Sequence, residues 1–141
     1  LTVRPRFAMA DAFGAKNRFR TQKDYLKQAL KLVRKEHGKG SVEYADASLR
    51  ASDSFWSPSD KAPFLEDAFE IYNENLGGSA ARTLTTGEEL ARVQFAVGDC
   101  NASLRYLDGV IANLDQTDDQ VVNPLFVRQL RVMCLEQNDG Q

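Results

Sequence analysis

The sequence has little of what most enzymes and disulfide-bonded scaffolds are built from. It holds two cysteines and one histidine in 141 residues. Cys100 and Cys134 are too few for a disulfide framework and lack metal-type spacing. The single histidine, His37, lies in the charged run Arg34-Lys35-Glu36-His37 before Gly38. A helix-end imidazole there reads as solvated or structural rather than as a ligand or base. No apolar run approaches the ~20 residues of a membrane span, and no signal-peptide pattern opens the chain. A glycine-rich phosphate loop, a nucleophile elbow and a zinc-spaced His/Cys set are all missing. The adjacent acids Glu66-Asp67, Glu88-Glu89 and Asp118-Asp119 point apart on a helix and read as solvated surface charge. Nothing positive supports an enzyme, and the reading implies no cofactor and no metal. The chain starts at Leu1 rather than Met, so the expectation is an excised domain or processed product. Its compartment is left open between cytoplasmic and periplasmic or extracellular.

What is present is ordinary in amount and unusual in arrangement. Apolar residues make up 43% and charged residues 27%, as in a soluble globular domain of one core's length. The charge is polarised along the chain. Residues 1–40 carry eleven Lys/Arg against three Asp/Glu, a net of +8, and residues 41–141 carry seven against seventeen, a net of −10.

A shift of 39 residues aligns like with like. Leu26, Leu65 and Leu104 share a column, as do Ala29, Ala68 and Leu107, then Leu32, Ile71 and Val110. Gly38 and Gly77 coincide where a helix should end. Thr21, Asp60 and Asp99 coincide where one should begin. Within each unit the spacing is helical: Leu26, Ala29, Leu30 and Val33 follow i, i+3, i+4, i+7. Small residues recur at Ser48 and Gly87, where two helices would have to approach closely. No strand-like alternation occurs. The pattern predicts an all-α chain of seven helices, about 5–20, 22–37, 42–57, 60–76, 80–97, 100–114 and 124–137. The last is signalled by Asn123 as cap and Pro124 at its first position. The architecture expected over 1–141 is one αα-solenoid. It has three helix hairpins (about 5–40, 41–78 and 79–117) and a C-terminal capping helix (124–137).

These residues resemble the tetratricopeptide repeat. The large-small pairs of its first helix appear as Ala51-Ser52 and Leu90-Ala91, and Ala102 opens the third second-type helix. Tyr25…Ala29 and Phe64…Ala68 carry its later motif. The 39-residue interval is similar to the longer-helix variety of kinesin light chains, and the run 36–45 has the same flavour. The resemblance departs from the pattern in lacking the opening Trp and in having Ala51 where the pair carries a large residue. It implies a right-handed superhelix whose first-type helices line a concave face that binds a partner peptide or segment. Carried over by register, that face holds Phe7, Ala10, Gly14, Asn17 and Arg18, then Asp46, Leu49, Asp53, Trp56 and Ser57. It continues with Thr85, Glu88, Arg92, Phe95 and Ala96, and ends with Val127, Arg131 and Leu135. Trp56 and Phe95 would be aromatic anchors, or else core plugs at a hairpin corner. Arg92 and Arg131 would clamp a carboxylate, or else be solvated helix charges.

Two other functions follow from charge. The stripe Lys23, Lys27, Lys31, Arg34 and Lys35 could attract nucleic acid or anionic lipid. The acidity of the rest of the chain, the lack of interleaved aromatics and the commonness of solvated charge runs weigh against it. Alternatively the basic end of one copy meets the acidic end of another, giving self-association. Cys100 and Cys134 stand at similar height in an antiparallel pair, either as a disulfide, which would indicate an oxidising compartment, or as small buried apolar groups.

Overall fold

The computed structural model describes residues 19–116 and 121–139. It contains α1 (Phe19–His37), α2 (Val42–Asp53), α3 (Pro58–Leu76), α4 (Ala81–Val97), α5 (Cys100–Asn113) and α6 (Pro124–Asp139). A single 3-10 turn (Leu114–Gln116) follows α5, and no strand occurs among the described residues. The helix expected at 5–20 lies almost wholly outside the described residues. Its expected end is not observed, because α1 runs unbroken from Phe19 through Thr21.

Local chemistry places the other boundaries. Ser41 accepts the Tyr44 amide and caps α2. The Asp99 carboxylate does the same for α5 through the Ala102 amide. Asn123 receives the Leu125 and Phe126 amides at the start of α6. Thr21 and Asp60, expected as caps of the same column, instead lie inside helices. Pro58 takes the first position of α3 and moves its cap to Ser57. Gly38 and Gly77 close α1 and α3 with φ of +97° and +89°, a backbone that side chains bearing a Cβ resist. The largest departure is α2, which ends at Asp53 rather than near 57. Ser52 turns its hydroxyl back onto the Leu49 carbonyl, and Ser-Asp-Ser offers the backbone local partners that compete with the helix. Burial of Phe55 then takes the chain out of helical register.

Each helix packs on its neighbours in sequence, and α4 also touches α6. The core is correspondingly a chain of small clusters rather than one centre. Leu26, Ala29 and Val33 of α1 meet Ala47, Ala51 and Phe55. Ala45 meets Ala68, Ile71 and Tyr72, and Ala62 and Leu65 of α3 meet Leu90 and Val93 of α4. Leu84 and Ala91 of α4 meet Leu107, Val110, Val127 and Leu130. The column Ala29, Ala68 and Leu107 has no solvent exposure in any copy. Leu26 and Leu65 are equally buried, whereas Leu104 is only half-buried. Leu65 is covered by Leu90, but the position one repeat later is the exposed polar Gln129. No helix of the described residues is long and apolar enough to cross a membrane.

Candidate partner-binding groove

A groove of about 550 Å³ runs along α4. Thr85, Glu88, Glu89, Arg92, Val93 and Ala96 of α4 line it, together with Trp56, Pro58 and Lys61 around the start of α3 and Val121 from the segment before α6. Positions 85, 88, 92 and 96 fall on one stripe because they are spaced three or four apart. The early end of α2 decides the aromatic at its mouth. Phe55 turns inward, 3% exposed, and stacks on Phe64 with ring centroids 5.5 Å apart. The next side chain therefore turns out, and Trp56 is 90% exposed. The hairpin-corner plug is Phe55, not Trp56.

Arg92 is held from two directions. Its guanidinium is 2.5 Å from Glu88 Oε1 one turn earlier, and it sits 4.8 Å from the centroid of the Phe126 ring of α6. An arginine with one carboxylate and one ring face already engaged loses less side-chain freedom when a ligand takes its remaining donors. Glu89, beside it, is raised from the ordinary carboxylate range by burial first and by the charge of Asp53 second, against the pull of Lys61 and Arg92. The groove thus mixes an open indole, two cations and two carboxylates. Among the described residues no group of three or more His, Cys, Asp or Glu stands together as metal ligands would.

The residues expected on the concave face divide. Trp56, Glu88 and Arg92 are brought together, with Thr85 and Ala96. Asp53 is exposed nearby and acts on Glu89 through its charge. Leu49 is half-buried between the clusters of α2, α3 and α4, and Phe95 is half-buried against the cluster around Leu107 and Leu130. Arg131 pairs with Asp108 of α5 at 2.8 Å and is not among the residues that line the groove with Arg92. Val127 is fully buried and faces the core, not the groove. Phe7, Ala10, Gly14, Asn17 and Arg18 lie outside the described residues. Lys61, Glu89 and Val121 were missed in sequence. Lys61 reaches the groove from the second turn of the neighbouring α3, and Val121 from the segment just before α6.

Cys100 and Cys134 do meet, across the ends of α5 and α6, as free thiols. Both are buried, and the Cys100 Sγ also donates to Gln137 Oε1 at 3.1 Å. Burial, then the hydrogen bond and charge of Cys134, push the Cys100 thiol up to about 11. Because both thiols are buried, native protein at neutral pH should resist iodoacetamide at both positions and react at both once unfolded, as read by intact mass. The folded state holds this proton more tightly than the unfolded chain. Its contribution to stability is complete below pH ~9 and is lost as pH rises toward 11.

No family model matches the chain, and no curated protein matches it. The fold has solved counterparts. One is a Podosopora anserina structure described as a kinesin light chain with nearly identical TPR-like repeats. It superposes with a TM-score of 0.69 at 15% identity, over 98% of this chain and 67% of that one. A single-substitution variant of the same protein gives a TM-score of 0.71 with the same identity and coverage. The chain spans about two thirds of the length of those two. At that identity the likeness is one of fold, and it agrees with the all-helical succession and the repeating buried columns. By its fold this chain is a TPR-like helical-repeat solenoid.

Proposed function

We propose that the chain is a protein-interaction scaffold that binds a segment of a partner polypeptide in the groove along α4. TPR-like folds serve generally as such scaffolds, and the groove supplies what an interface centre requires. The observation that carries the reading is Trp56, the only tryptophan of the chain, 90% exposed at the mouth of a groove that also holds a pre-set Arg92. Exposed indoles next to arginine are the residue types that concentrate binding energy. The segment that fits places an apolar or aromatic side chain on Trp56 and a carboxylate toward the guanidinium donors of Arg92 that Glu88 leaves unused.

A random peptide library selected against the intact chain tests this directly. Selected peptides should lose about thirtyfold in affinity on Trp56→Ala, the ~2 kcal/mol of a hot spot. They should lose acidic-side-chain preference on Arg92→Glu. Peptides that bind both variants as tightly as the parent would remove the groove from the account. Binding that tracks only the exposed Lys27, Lys31 and Lys35 of α1, and falls steeply with salt, would move the site to the basic helix.

A further inference from the structure

α6 carries an apolar stripe on its solvent side. Leu125 is 66% exposed, Val132 51% and Met133 46%. The same positions one repeat earlier are Thr86, Val93 and Gln94 of α4, at 2%, 8% and 7%. In α4 they are shut between α3, through Ala62, Leu65 and the Gln94–Glu66 hydrogen bond, and Tyr106 of α5. α6 instead turns Val127, Leu130 and Cys134 to the core, which leaves Leu125, Val132 and Met133 uncovered among the described residues.

The cover cannot be one more helix nested as α5 nests on α4. That nesting needs a small residue: a Cβ on Gly87 would stand 2.9 Å from Val110 Cγ2. Ser48 is the corresponding residue of α2, but α6 has Phe126 there, with its ring engaged under Arg92. A covering helix must cross α6 on the other side of the stripe, centred on Val132. The rim charges fix which helix fits. Arg128 and Glu136 lie four residues to either side of Val132, both exposed, and neither has an ion pair among the described residues.

We propose that a second copy of this chain covers the stripe, the two α6 helices crossing antiparallel about a twofold axis at Val132. That arrangement stacks Val132 on its counterpart and sets Arg128 of each copy against Glu136 of the other. It uses the same patch twice, so it closes at a dimer rather than growing. The stripe is not part of the α4 groove, so this interface and the groove reading succeed or fail separately.

Sedimentation of the 141-residue chain should give twice 15.8 kDa, with the dimer resisting salt. Val132→Lys should raise the dissociation constant at least tenfold, about the effect of removing a central contact. Arg128→Glu and Glu136→Arg should each weaken the dimer, and the two together in one chain should restore it. Circular dichroism melts check that each variant is folded. A monomer at every concentration up to several hundred micromolar overturns the proposal. So does a dimer that Val132→Lys leaves intact, or one that salt alone dissolves, which would assign assembly to the opposite charges of the two ends.

Discussion

Leu65→Ala is expected to lower the folding free energy by about 2–5 kcal/mol, the range of large-to-small changes at sites that cannot collapse. Leu65 has no exposed surface and ties α3 to Leu90 and Val93 of α4. The helices touch almost only along the sequence, so few other contacts can take over what this junction loses. Urea melts should show the loss as a lower midpoint at unchanged slope. Leu104→Ala, at the same column but half-buried, should cost clearly less. Equal costs, or a Leu65 loss under about 1 kcal/mol, would mean that the two junctions are not built as described.

Gly87→Val should cost roughly 3 kcal/mol, at the upper end of overpacking effects. In an exposed helix, removing a glycine would gain up to ~1 kcal/mol, so the sign of the change is itself informative. Here a Cβ would lie 2.9 Å from Val110 Cγ2 and 3.0 Å from the Phe69 ring. Trimming Val110 to Ala should relieve part of the clash, giving a coupling of about 0.5–3 kcal/mol in a double-mutant cycle. A Gly87→Val protein that melts with the parent would show that α4 and α5 stand further apart than the structure places them.

The helices and their junctions were legible because a solenoid repeats its burial. One column of Ala29, Ala68 and Leu107 is enough to fix the period and the inward face. Gly87 could be read as a close-approach residue because nothing else excuses glycine in mid-helix. What escaped was set by contacts that no periodicity carries. The end of α2 depends on Ser52 turning its hydroxyl onto the Leu49 carbonyl, and on Phe55 rather than Trp56 filling the corner. That shift leaves Trp56 exposed, while Phe95 of α4 is half-buried against the cluster around Leu107 and Leu130. Val127 was placed on the wrong face because α6 faces a core on one side only. The repeat register assumed neighbours on both. The groove is legible only in part: Glu88 and Arg92 follow from the spacing of one helix, while Lys61 comes from the neighbouring α3 and Val121 from the segment before α6, whose approach no single-helix spacing gives.

Partners are expected to bind where Trp56 stands beside α4. Amide chemical-shift mapping of the labelled chain with a selected peptide tests it most directly. The shifts should gather on Trp56, on Lys61 and along Thr85, Glu88, Arg92 and Ala96, with the indole N–H of Trp56 among the largest. Shifts concentrated on Lys27, Lys31 and Lys35 of α1, or on Leu125 and Val132 of α6, with residues 85–96 unmoved, would contradict it.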